Sequence, residues 1–292
     1  MIRNVGFACM SKKCNTKYQT FRLASFSEQR LHTTIMHNIK ETERTLYQCI
    51  SDNVKLFRMS SDLVPFATHE LIKGIDYMSW LKPDLKRLGK IVKNNNIRVS
   101  MHPSQMCIIN SPKSDVVKNS VKDLIYHYNL LNLIGLDDFN IVIHVGGVYG
   151  DKAEAVKRFV NIFNRFPEKL KQHIILENDD KSYTINDVLE IHNETGVKVC
   201  FDYHHHVCNN DGSELNLGAV FGTWGDVVPK IHVSSPKSDK EFRSHSDIID
   251  FSYCKDFFIS SKGYEFDVML ECKDKDLAVD KFVMDYRREV RI

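Results

Sequence analysis

The stretch 140–151, N-I-V-I-H-V-G-G-V-Y-G-D, sets the reading of the whole chain. It opens with a short β-branched run, Asn140–Ile143, that stops at His144. Gly146 and Gly147 follow and would let a substrate approach the backbone closely. Asp151 with Glu154 then has capping-box spacing, ahead of Val156, Phe159, Val160 and Phe163 at helical intervals. A strand apolar on both faces, a polar stop and an amphipathic helix make one unit of a helix-covered parallel sheet.

The same unit recurs along the chain. Strand-like runs are Val5–Cys9, Lys55–Met59, Ile97–Met101, His173–Leu176, Lys198–Phe201, Pro229–Ile231 and Phe266–Leu270. Helical patterns lie between them. Residues 32–52 put Ile35, Ile39, Leu46 and Ile50 on one stripe, and Val117, Val121, Leu124, Tyr128 and Leu131 form another that Gly135 stops. Thr184 with Asp187 opens a helix that Gly196 closes, and further helices are expected near 78–96, 213–225, 247–261 and 275–289. Strands alternating with helices and no linker predict a single (β/α)8 TIM barrel over residues 1–292. A doubly wound sheet is the alternative, but no G-x-G-x-x-G follows the first strand.

Composition narrows the class. Hydrophobic residues are 42% and charged residues 27% of 292, which excludes a disordered or collagen-like chain. A net charge of +2 excludes a binder held by bulk charge, while local basic patches or metal ions remain able to attract an anion. The eight cysteines are scattered without a C-x-x-C pair, as free thiols of a reducing compartment would be. No apolar run is long enough to span a membrane, and Met1–Met10 shows no signal-peptide pattern. An intracellular monomer is expected.

The chemistry lies where the strands end. His102, His144, Glu177, Asp202, His232 and Glu271 each close or directly follow a strand-like run. His204, His205 and His206 follow Asp202, and His69 and His245 lie in loops after the second and seventh strands. In a barrel these ends share one face, where active sites are built. So many imidazoles and carboxylates on one rim call for divalent cations, and the mixed N/O donor set suits Mn²⁺, Zn²⁺ or Fe²⁺. The loop Ser11–Arg30 interleaves Lys12, Lys13, Lys17, Arg22 and Arg30 with Tyr18 and Phe21, a composition that on the pocket rim suits a nucleic-acid backbone. Lys230 lies two residues before His232, so alternation puts both inside the barrel.

Seven segments, R-M-S-S-D-L-V-P-F-A-T-H (58–69), S-M-H-P-S-Q (100–105), I-H-V-G-G-V-Y-G-D-K (143–152), L-E-N-D-D (176–180), F-D-Y-H-H-H (201–206), K-I-H-V-S-S-P (230–236) and M-L-E-C-K-D-K-D (269–276), together resemble the UV damage endonuclease family. The likeness runs in order from about Val5 to Ala278. It implies a metal-dependent barrel related to endonuclease IV that cuts duplex DNA immediately 5′ of UV photoproducts and some other lesions. His102, His144 and Glu177 would hold one metal. Glu177 would bridge to a second, held also by Asp202, His232 and Glu271, and His205 with His245 would hold a third. His69 matches a pocket histidine. Gln105 and Met106 match a dipeptide that probes the duplex, with Met106 where the family usually has an aromatic. Phe7 matches a pocket tyrosine. The resemblance also implies a carboxylated Lys230, which would supply the anionic ligand that the third metal lacks.

Three rivals fit less well. An abasic-site endonuclease of the endonuclease IV kind has an Asp two residues before its third-metal His, where this chain has Arg243 before His245. A sugar isomerase on the same barrel would use a more carboxylate-rich site. A non-catalytic DNA-binding relic should have lost ligands, and none is missing.

Overall fold

The computed structural model describes residues 1–290, so the expected domain end at Ile292 lies outside the described residues. The chain runs β1 (Ile2–Ala8), α1 (Glu28–Ser51), β2 (Leu56–Met59), α2 (Tyr77–Asn94), β3 (Arg98–Met101), α3 (Ser114–Ile134), β4 (Phe139–His144), α4 (Lys152–Phe163) and a short α5 (Glu168–Lys171). It continues β5 (Ile174–Glu177), α6 (Ile185–Thr195), β6 (Lys198–Asp202), α7 (Tyr203–Cys208), α8 (Leu217–Gly222), β7 (Lys230–Val233), α9 (Phe251–Ser260), β8 (Phe266–Leu270) and α10 (Asp276–Glu289). The strands pair in sequence order, all parallel, and β8 closes on β1. This is the expected (β/α)8 barrel.

Local chemistry sets the boundaries. Asp151 caps α4 through the Glu154 N–H, and Thr184 with Asp187 forms a full capping box on α6. Gly135 and Gly196 end α3 and α6 in the left-handed conformation. The expected helices over 213–225 and 247–261 shrink to Leu217–Gly222 and Phe251–Ser260. Two elements escaped the sequence reading, α5 and α7. The α7 helix starts directly from β6 because the Asp202 carboxylate accepts the His205 N–H at 2.7 Å.

Alternation divides the barrel into two cores. Phe57, Val99, Ile141, Leu176, Val199 and Ile231 are buried beneath the helices. Inside, Leu56 and Met269 flank Gly6, and Val142, Ile175, Cys200 and Trp224 form a separate apolar floor. The polar site stands above that floor.

Two expected placements are corrected by this packing. Phe7 aligns with Phe57 and Leu270, not with the inward Leu56 and Met269, and its ring lies 5.7 Å from that of Phe57. It is fully buried in the strand–helix layer and does not line the pocket. The Ser11–Arg30 segment, much of it exposed, does not line the cavity either. It packs along α1, with Tyr18 Oη 2.7 Å from Thr42 Oγ1 and the Lys17 N–H donating to Glu41 at 2.9 Å. Lys13 is held by Asp52 at 2.8 Å and Asp280 at 2.6 Å. Phe21 is buried against Phe66.

Candidate metal centre

Strand register brings the expected ligands together. His144 is aligned with Glu177 across β4 and β5, and Asp202 with His232 across β6 and β7. Glu177 is the hub. Its Oε2 lies 3.0 Å from His102 Nε2 and 3.5 Å from His144 Nε2, and its Oε1 lies 2.6 Å from His232 Nδ1. The same His232 nitrogen is 3.2 Å from Glu271 Oε1. Donor atoms of His102, His144 and Glu177 fall within 4.8 Å of one another, as do those of Asp202, His232 and Glu271. The first is the trio expected around one ion, and the second holds three of the four residues expected around another, without Glu177.

His205 and His245 are neighbours, with ring centroids 6.1 Å apart. His205 Nδ1 donates to the Asn178 carbonyl at 3.0 Å, and His245 Nδ1 to the Glu271 carbonyl at 3.1 Å. Such bonds fix the ring and leave Nε2 as the free donor, the usual support of a metal-bound histidine. His205 also groups with Glu177 and Asp202, an arrangement the ligand assignment by resemblance did not contain.

The donor set fits divalent ions on a direct test. His102 Nδ1 faces the Pro103 carbonyl at 2.9 Å and must donate to it, so in a neutral ring the Nε2 lone pair points at the Glu177 carboxylate. Two acceptors at hydrogen-bond distance need a cation or proton between them. His144 Nδ1, Asp202 Oδ2 and His232 Nε2 are buried without a hydrogen-bond partner. Burial raises the Asp202 carboxyl, and Glu177 and Glu271 add to this against His205 and His232. Burial opposes ionisation of Glu177 too, yet His232, His144 and His102 hold it well below the usual carboxylate range. His205, despite burial, is raised to about 9 by Asp202, Glu177 and Glu271. The site is organised to hold positive charge.

Alternation also carries three inward residues to the site or its floor. Lys230, fully buried with no hydrogen-bond partner for its amine, is pulled down to about 8 by burial, with Arg98 and Arg58 adding and Cys200 and Glu177 opposing. Arg58 forms an ion pair with Glu271, and the Cys200 thiol lies within 4.8 Å of donor atoms of Glu177 and His232. Neither Arg58 nor Cys200 was singled out in the sequence, although Cys200 sits two residues before Asp202.

A cavity of about 710 Å³ opens above the cluster, walled by Arg58, Gln105, Gly146, Lys181, Arg243 and others. Gln105 is on its edge, and Met106 beside it is 77% exposed, so Met106 is not core filler. His69 is corrected: it is exposed, its Nδ1 accepts the Leu71 N–H, and it lines a neighbouring groove with Ser104 and His127. None of Lys12, Lys13, Lys17 or Arg22 lines the cavity.

Comparison with known proteins agrees with this geometry. The model of the UV-endonuclease UvdE family matches residues 3–291. A UV DNA damage endonuclease of Bacillus mycoides (strain KBAB4) is 39% identical over 265 residues, covering 88% of this chain and 83% of the relative. The crystal structure of SacUVDE superposes with a TM-score of 0.90 at 32% identity, covering 98% of both chains. Endonuclease IV from Thermus thermophilus superposes at 0.60 with 13% identity and 99% coverage of both, a likeness of fold alone. The chain belongs to the UV-endonuclease UvdE family.

Proposed function

We propose that this chain is a divalent-metal-dependent endonuclease that hydrolyses the phosphodiester immediately 5′ of UV photoproducts, and of some other lesions, in duplex DNA, acting as an intracellular monomer. Family membership supports the damage endonuclease, and the contact of His102 Nε2 with Glu177 Oε2 at 3.0 Å carries the metal dependence. His102, His144 and Glu177 would hold one ion, Glu177, Asp202, His232 and Glu271 a second, and His205 with His245 a third. Mn²⁺ is the favoured ion, with Zn²⁺ and Fe²⁺ compatible with the donors. Bound divalent ions supply neutralisation of the phosphate, acidification of a water and stabilisation of the leaving 3′ oxygen.

The chain's own groups do the rest. Glu177, by facing His144 on β4, His232 on β7 and His102 just after β3, fixes the spacing of the donors. Arg58 holds Glu271 through their ion pair and adds positive charge to the cavity wall. Lys230 is the residue proposed to carry a carbamate: its neutral amine attacks carbon dioxide, an N–C bond forms and a proton leaves, giving an anionic oxygen donor. The buried, unpartnered amine near pH neutrality supports this. Gln105 and Met106 act as a wedge at the lesion, where opening the duplex costs less than at intact steps. Exposed Lys12, Lys17 and Arg22 then serve only flanking backbone.

The test is product mapping. End-labelled duplexes carrying one photoproduct, one abasic site or no lesion are incubated with Mn²⁺, and the fragments are sized. Cutting directly 5′ of the photoproduct, leaving 3′-hydroxyl and 5′-phosphate ends, is expected. Preference for the abasic duplex would move the reading to the endonuclease IV type of activity.

A further inference from the structure

His127 lies on α3, outside the cavity wall, and is 1% exposed. Its ring joins a chain of polar groups that ends at the backbone of His102. Nδ1 lies 2.7 Å from the Asp123 carbonyl and 3.5 Å from Asp123 Oδ1. Nε2 lies 2.9 Å from Ser61 Oγ, and that oxygen lies 2.7 Å from the His102 carbonyl. The same turn pins the His102 ring, because His102 Nδ1 donates to the Pro103 carbonyl at 2.9 Å.

Counting hydrogens fixes the roles. Both carbonyls can only accept. The Asp123 carbonyl therefore takes a hydrogen from His127 Nδ1, and the His102 carbonyl takes the one hydrogen that the Ser61 hydroxyl has. Nothing is left on Ser61 for His127 Nε2, so Nε2 must itself be a donor. A ring that donates from both nitrogens is an imidazolium. With a neutral ring, His127 Nε2 and the His102 carbonyl would compete for one hydrogen, and a buried contact would go unmade.

The counter-charge is the Asp123 carboxylate, whose side chain is 25% exposed, so a proton can reach the pair from solvent. Burial pulls His127 down and pushes Asp123 up, and each is opposed by the charge of the other, while His102 adds to the pull on His127. The Tyr126 ring meets the imidazole edge to face at 5.0 Å, and Asp62 and His69 line the same groove. The two hydrogen bonds that only the charged ring completes decide the balance.

We propose that His127 is a positioning residue for the metal centre: as an imidazolium paired with Asp123 it donates to Ser61 Oγ and so commits the Ser61 hydroxyl to the His102 carbonyl. The proposal rests on the reading of His102 as a metal ligand. With its carbonyl held by Ser61 and its Nδ1 by Pro103, His102 keeps Nε2 directed at Glu177 before an ion arrives.

The test uses the full chain, first with chelator. Proton–nitrogen spectra of isotope-labelled protein at neutral pH, with His127→Gln to assign the signals, should show both ring nitrogens of His127 protonated. A neutral ring with a bare Nε2 overturns the proposal with no metal involved. Calorimetric Mn²⁺ affinity is then compared for wild type, Ser61→Ala, His127→Leu, His127→Gln and the double change Ser61→Ala with His127→Leu. Gln keeps an N–H donor near the place of Nε2 and should bind within about twofold of wild type. Ser61→Ala and His127→Leu should each lose about tenfold, and the double variant no more than either alone. A residue that only supports the fold would lower melting temperatures and leave Mn²⁺ affinity unaltered, which overturns the proposal, as do losses that multiply in the double variant. If His127→Leu does not fold, a tenfold loss in His127→Gln overturns it equally. A wild type that shows the doubly protonated ring but binds no Mn²⁺ sinks the metal reading on which the positioning role depends, whereas a neutral ring in a protein that binds Mn²⁺ sinks the proposal alone.

Discussion

His102 and Glu177 face each other acceptor to acceptor. The Nδ1–H of His102 is committed to the Pro103 carbonyl at 2.9 Å, while its Nε2 lies 3.0 Å from Glu177 Oε2. His232 meets the other oxygen, Oε1, at 2.6 Å. One buried carboxylate therefore has both oxygens aimed at imidazoles from opposite sides of the barrel. A proton can bridge each contact in the metal-free protein, and a divalent ion held there would replace the proton.

That exchange predicts how the metal-free protein responds to pH. His205 has a folded pKa of about 9 against 6.5 as its ordinary value, so above pH 6.5 the folded state binds the extra proton. Stability should fall as pH rises from 6.5 towards 9. Burial, with His245 and His205 adding, pulls His204 down to about 4, so the unfolded chain binds more protons between pH 4 and 6.5. Stability should rise over that lower window. Melting curves of the chelated protein should peak near pH 6.5, and Mn²⁺ should remove the decline above it. A decline that persists at saturating Mn²⁺ would show that the histidine protons are not what the metal displaces.

The Ser61 hydroxyl supports the candidate ligand His102 from outside the cavity. Its Oγ donates to the His102 carbonyl at 2.7 Å, and buried His127 places Nε2 2.9 Å from the Ser61 Oγ. Ser61→Ala should lower stability by about 1 kcal/mol. Loss of this outer support should also weaken Mn²⁺ binding about tenfold. Calorimetric titration with Mn²⁺ measures the second effect, and an unchanged affinity would make Ser61 a fold residue only.

Gln105 and Met106 should discriminate between duplexes. The double change Gln105→Ala with Met106→Ala should weaken binding to a photoproduct duplex about tenfold, because an inserted side chain offsets lost stacking only where the stack is opened. Binding to undamaged duplex should hardly change. Equal losses on both would reduce the pair to general contacts.

Lys230 gives a chemical prediction. If its amine carries a carbamate, Lys230→Glu should retain more incision activity than Lys230→Met, and bicarbonate-free buffer should slow the wild type. Density at the amine in a metal-loaded crystal should show three added atoms. An unmodified amine in an ion pair, in such a crystal at neutral pH, contradicts it.

The strand ends were legible because each candidate ligand closes or follows a β-branched run, and a parallel barrel gathers all such ends on one face. His102, His144, Glu177, Asp202, His232 and Glu271 could be read in that way. Side-chain direction was harder. Alternation is local, and it placed Lys230 and His232 inside correctly, but the direction of Phe7 depends on its register with Phe57 and Leu270, which lie far along the chain. Lys13 misled for the same reason. Its partners Asp52 and Asp280 are distant in sequence, so a paired lysine looked like a free one. Cys200 could have been found by counting two residues back from Asp202, whereas the direction of Arg58 needed the register of β2 with β1.

The central claim is that the Glu177 cluster holds the divalent ions on which cutting depends. The most direct measurement is incision of a single-photoproduct duplex by chelator-stripped protein titrated with Mn²⁺, with Glu177→Gln run in parallel. The account predicts no cutting by stripped protein and recovery only beyond one equivalent of Mn²⁺. It also predicts that Glu177→Gln binds the damaged duplex but cuts at least about a hundredfold more slowly. Full incision in the presence of chelator, or a wild-type rate in Glu177→Gln, would contradict it.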